Sequence, residues 1–333
     1  MPLRRVYGLI INMEIVVGVL RGGPSREYDV SLKTGAAMLT ALPRANYEPR
    51  DIFISKSGVW HVFGRPVEPE RILRQIDVAL IGLHGEYGED GEVQKVLERY
   101  GVPYVGSDSF SSFIAMHKVF AKKHAREAGL KTPRDVLVEK EDDVEKKVTE
   151  IIRSLTQPVV VKPVRWGSSV GVSIVSGYAP LMQAVSELFK DGAGNVLVEE
   201  YIRGAEATVG VVEGLRGEEL YTPPVVEIVP PEKSDFFSYD AKYSGDSKEI
   251  CPGNFSKAVS KELEDSARAM HKALMLRHYS RSDFIVSPGG VYYLETNTLP
   301  GLTPESLLPK SLNAVGVSMP IFLEHLVNLA LTR

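Results

Sequence analysis

Apolar residues in this chain follow two spacings, and the switches between them mark out the elements. Glu14 to Leu20 is a short β-branched run that predicts a strand. Gly22 and Gly23 then turn the chain into a segment, from near Ser25 to Leu42, with a helical pattern. Asp51 to Ile54 predicts a second strand, and Asp77 to Leu83 a third that is apolar on both faces, as a buried parallel strand is. Glu92 to Tyr100 predicts a helix, with Val93, Val96, Leu97 and Tyr100 on one stripe and Gly101 closing it. Pro103 to Val105 predicts a further strand. Strands alternating with helices imply a parallel, Rossmann-like α/β sheet wrapped by helices.

Beyond Gly106 the texture changes. Ser111 to Glu127 predicts one helix, ended by Gly129 and Pro133, and Asp135 to Val138 a strand. A charged helix spans Asp143 to Leu155, a strand Pro158 to Lys162, and a loop Gly167 to Gly171. Asn195 to Tyr201 and Glu206 to Val212 add strands, giving a smaller α+β unit. The last third predicts a polar loop from Ser234 to Ser256, a helix from Lys257 to Leu276, a β-hairpin and a C-terminal helix.

Composition narrows the class. The chain has 333 residues, about twice a typical single domain, so two or three domains are expected. Hydrophobic residues make up 44% and charged residues 25%, which excludes a disordered or low-complexity chain. Lys plus Arg number 39 against 43 Asp plus Glu, a net charge of −4 that offers no bulk attraction to nucleic acid. Any polyanion must be met by local lysines and arginines. One cysteine, Cys251, excludes an internal disulfide and a thiolate metal cage and points to a reducing cytoplasm. Arg4 and Arg5 followed by an apolar run mimic a signal peptide, but Asn12 and Glu14 interrupt it, so a start at Met13 is an alternative to Met1. No stretch reaches the ~18 apolar residues of a membrane helix.

The hairpin carries the first chemical signal. Arg281 to Val286 and Val291 to Asn297 flank Pro288-Gly289-Gly290, which predicts a three-residue loop with glycine in its left-handed position. That register sets Asp283 opposite Glu295 and Arg281 opposite Asn297, all on one face. Two carboxylates and an amide oxygen converging there suit a hard divalent cation such as Mg²⁺. The alternative is a solvated face on which Arg281 neutralises Asp283.

Lys162 sits in the β-branched run after Pro158, where burial demands an anionic partner. Gly167 to Gly171 follows, a small-residue loop able to approach a phosphate closely, or else a plain β-turn. Neither the Walker loop nor the GxGxxG dinucleotide fingerprint occurs in the chain, which excludes a typical hydride-transfer enzyme. Glu199, Glu200 and Glu206 offer acceptors that read an adenine amino group and a ribose diol, or simply end a charged strand. Glu27 and His84 follow early strands, at the carboxyl ends where open α/β sheets place ligands. A carboxylate at Glu27 suits a substrate ammonium, whereas a lone histidine such as His84 is commonly structural.

The order of these segments is more specific than any one of them. GGPSREYDVSL, HGEYGEDGEVQ, MHKVFAKKHAREAGLKTP, VVVKPVRWGSSVGVS, VLVEEYIRGAEATV, YDAKYSGDSKEICP, SRSDF and LETNTLPGLTPESLLPK together resemble the D-alanine–D-alanine ligases, an ATP-grasp family, over most of the chain from about Met13. The resemblance implies an N-terminal α/β domain (1–115) holding the first substrate, a small ATP-grasp lobe (116–205), and a large lobe (206–333) with the metal site and a lid over 234–256. It implies ATP-driven joining of two D-alanines through a D-alanyl phosphate, for peptidoglycan precursors, by a cytoplasmic homodimer. Lys118 and Lys162 match the phosphate-binding lysines. Glu199, Glu200, the Ile202 backbone and Glu206 match adenine and ribose contacts. Asp283, Glu295 and Asn297 match the ligands of two Mg²⁺ ions, for which Mn²⁺ is a substitute.

Arg281 and the Gly301 N–H match the groups facing the tetrahedral oxyanion. Glu27 matches the acid on the first D-alanine's ammonium, with Ser168 and Tyr243 as its companions, and His84 joins the substrate-binding set. Lys242 and Ser306 match the receivers of the second carboxylate, with Leu307 beside them. Trp166 and Glu200 depart from the family pattern. The nearest rivals are siblings that make a D-alanyl ester or D-alanyl-D-serine; a silent nucleotide-binding paralogue is a further one. Tyr243, which ester-forming relatives commonly lack, favours an amine nucleophile.

Overall fold

The computed structural model describes residues 5–6, 9–10, 14–43, 45–229 and 248–332. The first sheet has five strands in the order Arg65–Pro66, Trp60–Val62, Tyr47–Ile54, Ile15–Gly22 and Val78–Ile81. Its last three strands are parallel, and a short antiparallel hairpin forms the other edge. The alternation of strand and helix thus accounts for the parallel half only. Pro103 to Val105 does not form a full strand: it contributes one parallel bridge, Tyr104 to Ala79.

Two antiparallel sheets follow. The second orders Ser173–Val175, Val159–Pro163, Asn195–Glu200 and Asp135–Glu139. The third orders Lys248–Ile250, Val226–Val229, Ala205–Glu213, Tyr279–Ser287 and Gly290–Asn297, with Leu220–Tyr221 beside Ala205–Glu213. Helix Lys257–Ala273 covers the third sheet through Leu263, Ala267 and Met270. The C-terminal helix Met319–Leu331 instead turns Phe322, Leu323 and Leu326 into the core shared with Val78 and Leu80 of the first sheet. No helix among the described residues is long and apolar enough to cross a membrane.

The single helix expected over Ser111 to Glu127 is two, Ser109–Met116 and Lys118–Glu127, broken at an extended His117. Asp108 caps the first, accepting the Ser111 N–H at 2.8 Å. At the break the Lys118 N–H leaves helical pairing and donates to Val164 O at 3.1 Å, which docks the second helix on the second sheet.

In the hairpin, Asp283 pairs with Glu295 and Arg281 with Asn297, as expected. The route differs. Ser287 pairs with Gly290, so the loop is two residues, Pro288 and Gly289, and the outer rungs join Phe284 to Tyr293 and Ile285 to Tyr292. A bulge at Leu294 absorbs the extra residue and restores the inner register. Tyr293 therefore faces the core, with its hydroxyl donating to Thr296 Oγ1 at 3.0 Å, while Leu294 and Glu295 both face the cleft.

Candidate active site

A cleft of about 920 Å³ opens where the three sheets meet. Every expected site residue that the structure describes lines it: Glu27, His84, Lys118, Lys162, Ser168, Glu199, Glu200, Ile202, Glu206, Arg281, Asp283, Glu295, Asn297, Gly301, Ser306 and Leu307. Lys242 and Tyr243, with most of the expected lid, lie outside the described residues.

On the hairpin, Arg281 grips Asp283 through two hydrogen bonds, Nε to Oδ1 at 2.9 Å and Nη2 to Oδ2 at 2.8 Å. Burial disfavours the guanidinium's charge, but Asp283 outweighs it and holds the arginine pKa above its usual value. Asp283 also accepts from Thr208 Oγ1 and, at 3.2 Å, from Asn297 Nδ2. Glu295 lies 3.3 Å from Lys118 Nζ. The neutralisation of Asp283 by Arg281 that stood as the alternative is present, yet the face is turned into a cleft and not to open solvent. No group of three or more His, Cys, Asp or Glu suited to a metal occurs among the described residues. Two carboxylates and one amide form a hard-oxygen set fit for Mg²⁺ once Asn297 turns its oxygen inward.

Lys162 is buried, and its anionic partner is Glu199 on the neighbouring strand, with Nζ 2.7 Å from Oε2. The other Glu199 oxygen accepts from Lys122 Nζ at 2.7 Å, and Lys122 also meets Asp135 at 3.0 Å and the Pro133 carbonyl at 2.8 Å. Burial pushes the Glu199 carboxyl up, but the two ammonium groups outweigh it and hold it below the ordinary carboxylate range. Glu199 therefore braces Lys162 as well as lining the cleft. Lys122 escaped the sequence reading because a lysine in a Lys- and Arg-rich helix looks solvated; its spacing of four from Lys118, one turn along the same face, was the available signal. Glu200 is held by Arg134, whose backbone N–H and Nε donate to its two oxygens at 2.9 and 3.0 Å.

The Gly167 to Gly171 loop is a tight turn, closed by the Val170 N–H on Gly167 O at 3.1 Å. Ser168 and Ser169 have φ of 49° and 58°, left-handed values that cost non-glycine residues on the order of 1 kcal/mol or more each. The plain turn and the cleft wall are the same object, because Ser168 Oγ donates to Glu27 Oε1. A side chain at Gly167 would lie 2.8 Å from Glu27 Oε2 and would push that carboxylate aside.

His84 is buried and satisfied: Thr34 Oγ1 is 2.7 Å from Nε2, and Glu89 lies 3.9 Å from Nδ1. Burial opposes its protonation, but Glu89 and Glu27 outweigh that and raise its pKa. On the far wall, Thr303 and Ser306 share a 2.9 Å hydroxyl contact, and a side chain at Gly301 would meet Ser306 Oγ at 2.8 Å. Leu307 packs with Val226 and Ile228. Val160, Ile174 and Leu294 add an apolar lining that strand periodicity did not single out.

Comparison with known proteins bears on this geometry. Residues 125–328 match the family profile described as D-ala D-ala ligase C-terminus, and residues 64–107 match D-ala D-ala ligase N-terminus. The chain is similar to the D-alanine–D-alanine ligase of Syntrophobacter fumaroxidans, 38% identical over 319 residues, covering 96% of this chain and 98% of that protein. Among solved structures it resembles the VanG D-Ala:D-Ser ligase from Enterococcus faecalis, with a TM-score of 0.84 and 31% identity over 96% of this chain and all of that one. It also resembles the D-alanine–D-alanine ligase of Bacillus anthracis complexed with ATP, with a TM-score of 0.79 and 32% identity, covering 96% and 98% of the two chains. By sequence over nearly its whole length and by fold, the chain belongs to the D-alanine–D-alanine ligase family, ATP-dependent ligases of the ATP-grasp fold.

Proposed function

We propose that this protein uses ATP to join D-alanine to a second D-alanine, releasing ADP and phosphate, and so supplies the dipeptide of peptidoglycan precursors. The single observation that carries the reading is one cleft holding Lys118, Lys162, the Asp283–Glu295–Asn297 face and Arg281 together with Glu27. A free carboxylate does not acylate an amine at neutral pH, because oxide is its leaving group. Phosphorylation by the γ-phosphate gives an acyl phosphate whose leaving group is phosphate, and the second amine then attacks through a tetrahedral intermediate. The protein's part is positioning and charge stabilisation.

In this reading Lys118 and Lys162 meet the triphosphate, Lys162 braced by Glu199 at 2.7 Å. Glu199, Glu200, the Ile202 backbone and Glu206 lie on the adenine and ribose side. Glu27 holds the first ammonium with Ser168, and His84 supports that wall. Arg281 and the Gly301 N–H face the developing oxyanion, and Ser306 with Leu307 receives the second carboxylate. Lys242 and Tyr243, outside the described residues, in this reading receive the second carboxylate and accompany Glu27, respectively. Asp283, Glu295 and Asn297 would hold Mg²⁺, which neutralises phosphate charge when bound. The domain division at 115 and 205, a homodimer and a cytoplasmic location belong to the same proposal.

The similarity to a D-Ala:D-Ser ligase makes D-serine the second reading for the attacking amine. Phosphate release with ATP across D-alanine, D-serine, D-lactate and the L-enantiomers, with product masses, tests both. A dipeptide of two D-alanines is expected. D-alanyl-D-serine as the main product would replace the first reading, and no release with any D-amino acid would refute both.

A further inference from the structure

One contact in the cleft wall is not used by the chemistry above. Arg26 precedes Glu27, in the segment between the first strand and helix Tyr28–Ala41. Its guanidinium lies over the indole of Trp166, 3.7 Å from the ring centroid, and its Nη2 donates to the Asp191 carbonyl at 2.8 Å. Asp191 ends helix Tyr178–Lys190, where unpaired carbonyls favour a cation. Trp166 is fixed on its other sides too. Its carbonyl accepts from Lys118 Nζ at 2.7 Å, and its ring edge faces Gly171, where a side chain would meet it at 3.2 Å and Leu188 at 2.7 Å. The residue thus joins the first sheet's loop, the helix of Lys118 and the turn at Ser168.

We propose that Arg26 and Trp166 form a latch that positions the 167–171 turn against Glu27, so that the nucleotide wall and the ammonium-holding carboxylate are set as one unit. The proposal rests on the ligase reading for what the two walls bind. The physical reason is the turn itself. Two consecutive left-handed serines are unfavourable on their own, and the Ser168–Glu27 hydrogen bond is one tie that holds the turn to Glu27. A guanidinium stacked on an indole and anchored to a helix end adds a further tie from the adjacent residue. Both residues act through others: neither is required to touch a reacting atom.

The test is a double-mutant cycle on the full chain with Arg26→Ala, Trp166→Leu and both together, and with Arg26→Lys as the conservative variant. The KM values for ATP and for the first D-alanine are expected to rise together by about 3- to 10-fold in Arg26→Ala, with kcat changed less. The double variant should be no worse than the worse single one, and Arg26→Lys should recover much of the loss. Additive effects, or an Arg26→Ala enzyme with wild-type KM values, would overturn the latch.

A second readout needs no turnover. The chain has two tryptophans, and Trp60 is 3% exposed with its indole N–H on Tyr87 OH at 3.2 Å, so acrylamide quenching reports mainly Trp166. Arg26→Ala should steepen the quenching slope of the substrate-free protein, and an unchanged slope means that Arg26 does not cover the ring. If the wild-type chain releases no phosphate with D-amino acids, the ligase reading fails, while quenching still decides the contact.

Discussion

At the scale of single residues, buried charge dominates. Lys162→Ala removes the cation beside the proposed triphosphate and leaves Glu199 with one ammonium partner, so turnover should fall by orders of magnitude. Near-normal turnover would remove Lys162 from the phosphate role. Lys122→Met keeps the stem but leaves Glu199 and Asp135 short of a fully buried counter-charge, which should cost about 3 kcal/mol or more in denaturant unfolding. His84 supplies a pH dependence. Its folded pKa is raised, so its contribution to stability is fully present below the unfolded value of about 6.5 and is lost as pH rises through the folded pKa. The stability gap between wild type and His84→Gln should therefore shrink from acid to alkaline pH, and a gap constant across that range would contradict the assignment. What sequence could offer here was residue type and order. It could not offer depth: Lys122, with no exposed side chain, and Lys123, with most of its side chain in solvent, are neighbours of identical chemistry.

At the scale of elements, the hairpin shows how a right pairing can follow from a wrong turn. Alternation and a glycine-rich loop give Asp283 opposite Glu295 by a three-residue closure, whereas the chain uses two loop residues and a bulge. Strand periodicity cannot locate a bulge, because one extra residue shifts the count without altering composition. Deleting Leu294 should then be tolerated: the outer and inner rungs fall into one register, and Asp283 still meets Glu295. The expected outcome is cooperative unfolding close to wild type with weakened ATP binding, since an apolar wall residue is gone. Deleting Tyr292 also removes the extra residue, but it moves Tyr293 off its core-facing rung and puts Leu294 there, so it should lower stability well below that of the Leu294 deletion; equal stability of the two deletions would contradict the bulge. Helix Tyr178–Lys190 and the short strands Trp60–Val62 and Ser173–Val175 passed unnoticed in the sequence, the strands because three residues carry too little period to register.

At the scale of the molecule, the C-terminal helix Met319–Leu331 belongs to the core of the first sheet, although the sequence between them builds two other sheets. Ending the chain at residue 318 removes Phe322, Leu323, Leu326 and Val327, each fully buried and each contributing about 1.5–3 kcal/mol. That loss is comparable with the stability of a whole domain, about 5–15 kcal/mol, so the shortened chain should lose its near-ultraviolet dichroism and its cooperative melt. A retained sharp melt would refute this. No local pattern signals the return, because an amphipathic helix does not say which sheet it covers.

The Arg134–Glu200 pair has a consequence of the same reach. Lys131 bridges to Tyr292 in the third sheet and Asp135 begins the second, while Glu200 ends the second and Ala205 begins the third. The two passages of the backbone between these bodies run side by side there, joined further by the Glu200 N–H on Arg134 O at 3.0 Å. The four-stranded body is therefore attached covalently along one edge only, and ties elsewhere, such as Lys118 N–H on Val164 O, Arg26 on the Asp191 carbonyl and Ser168 on Glu27, are hydrogen bonds that can part without breaking the chain.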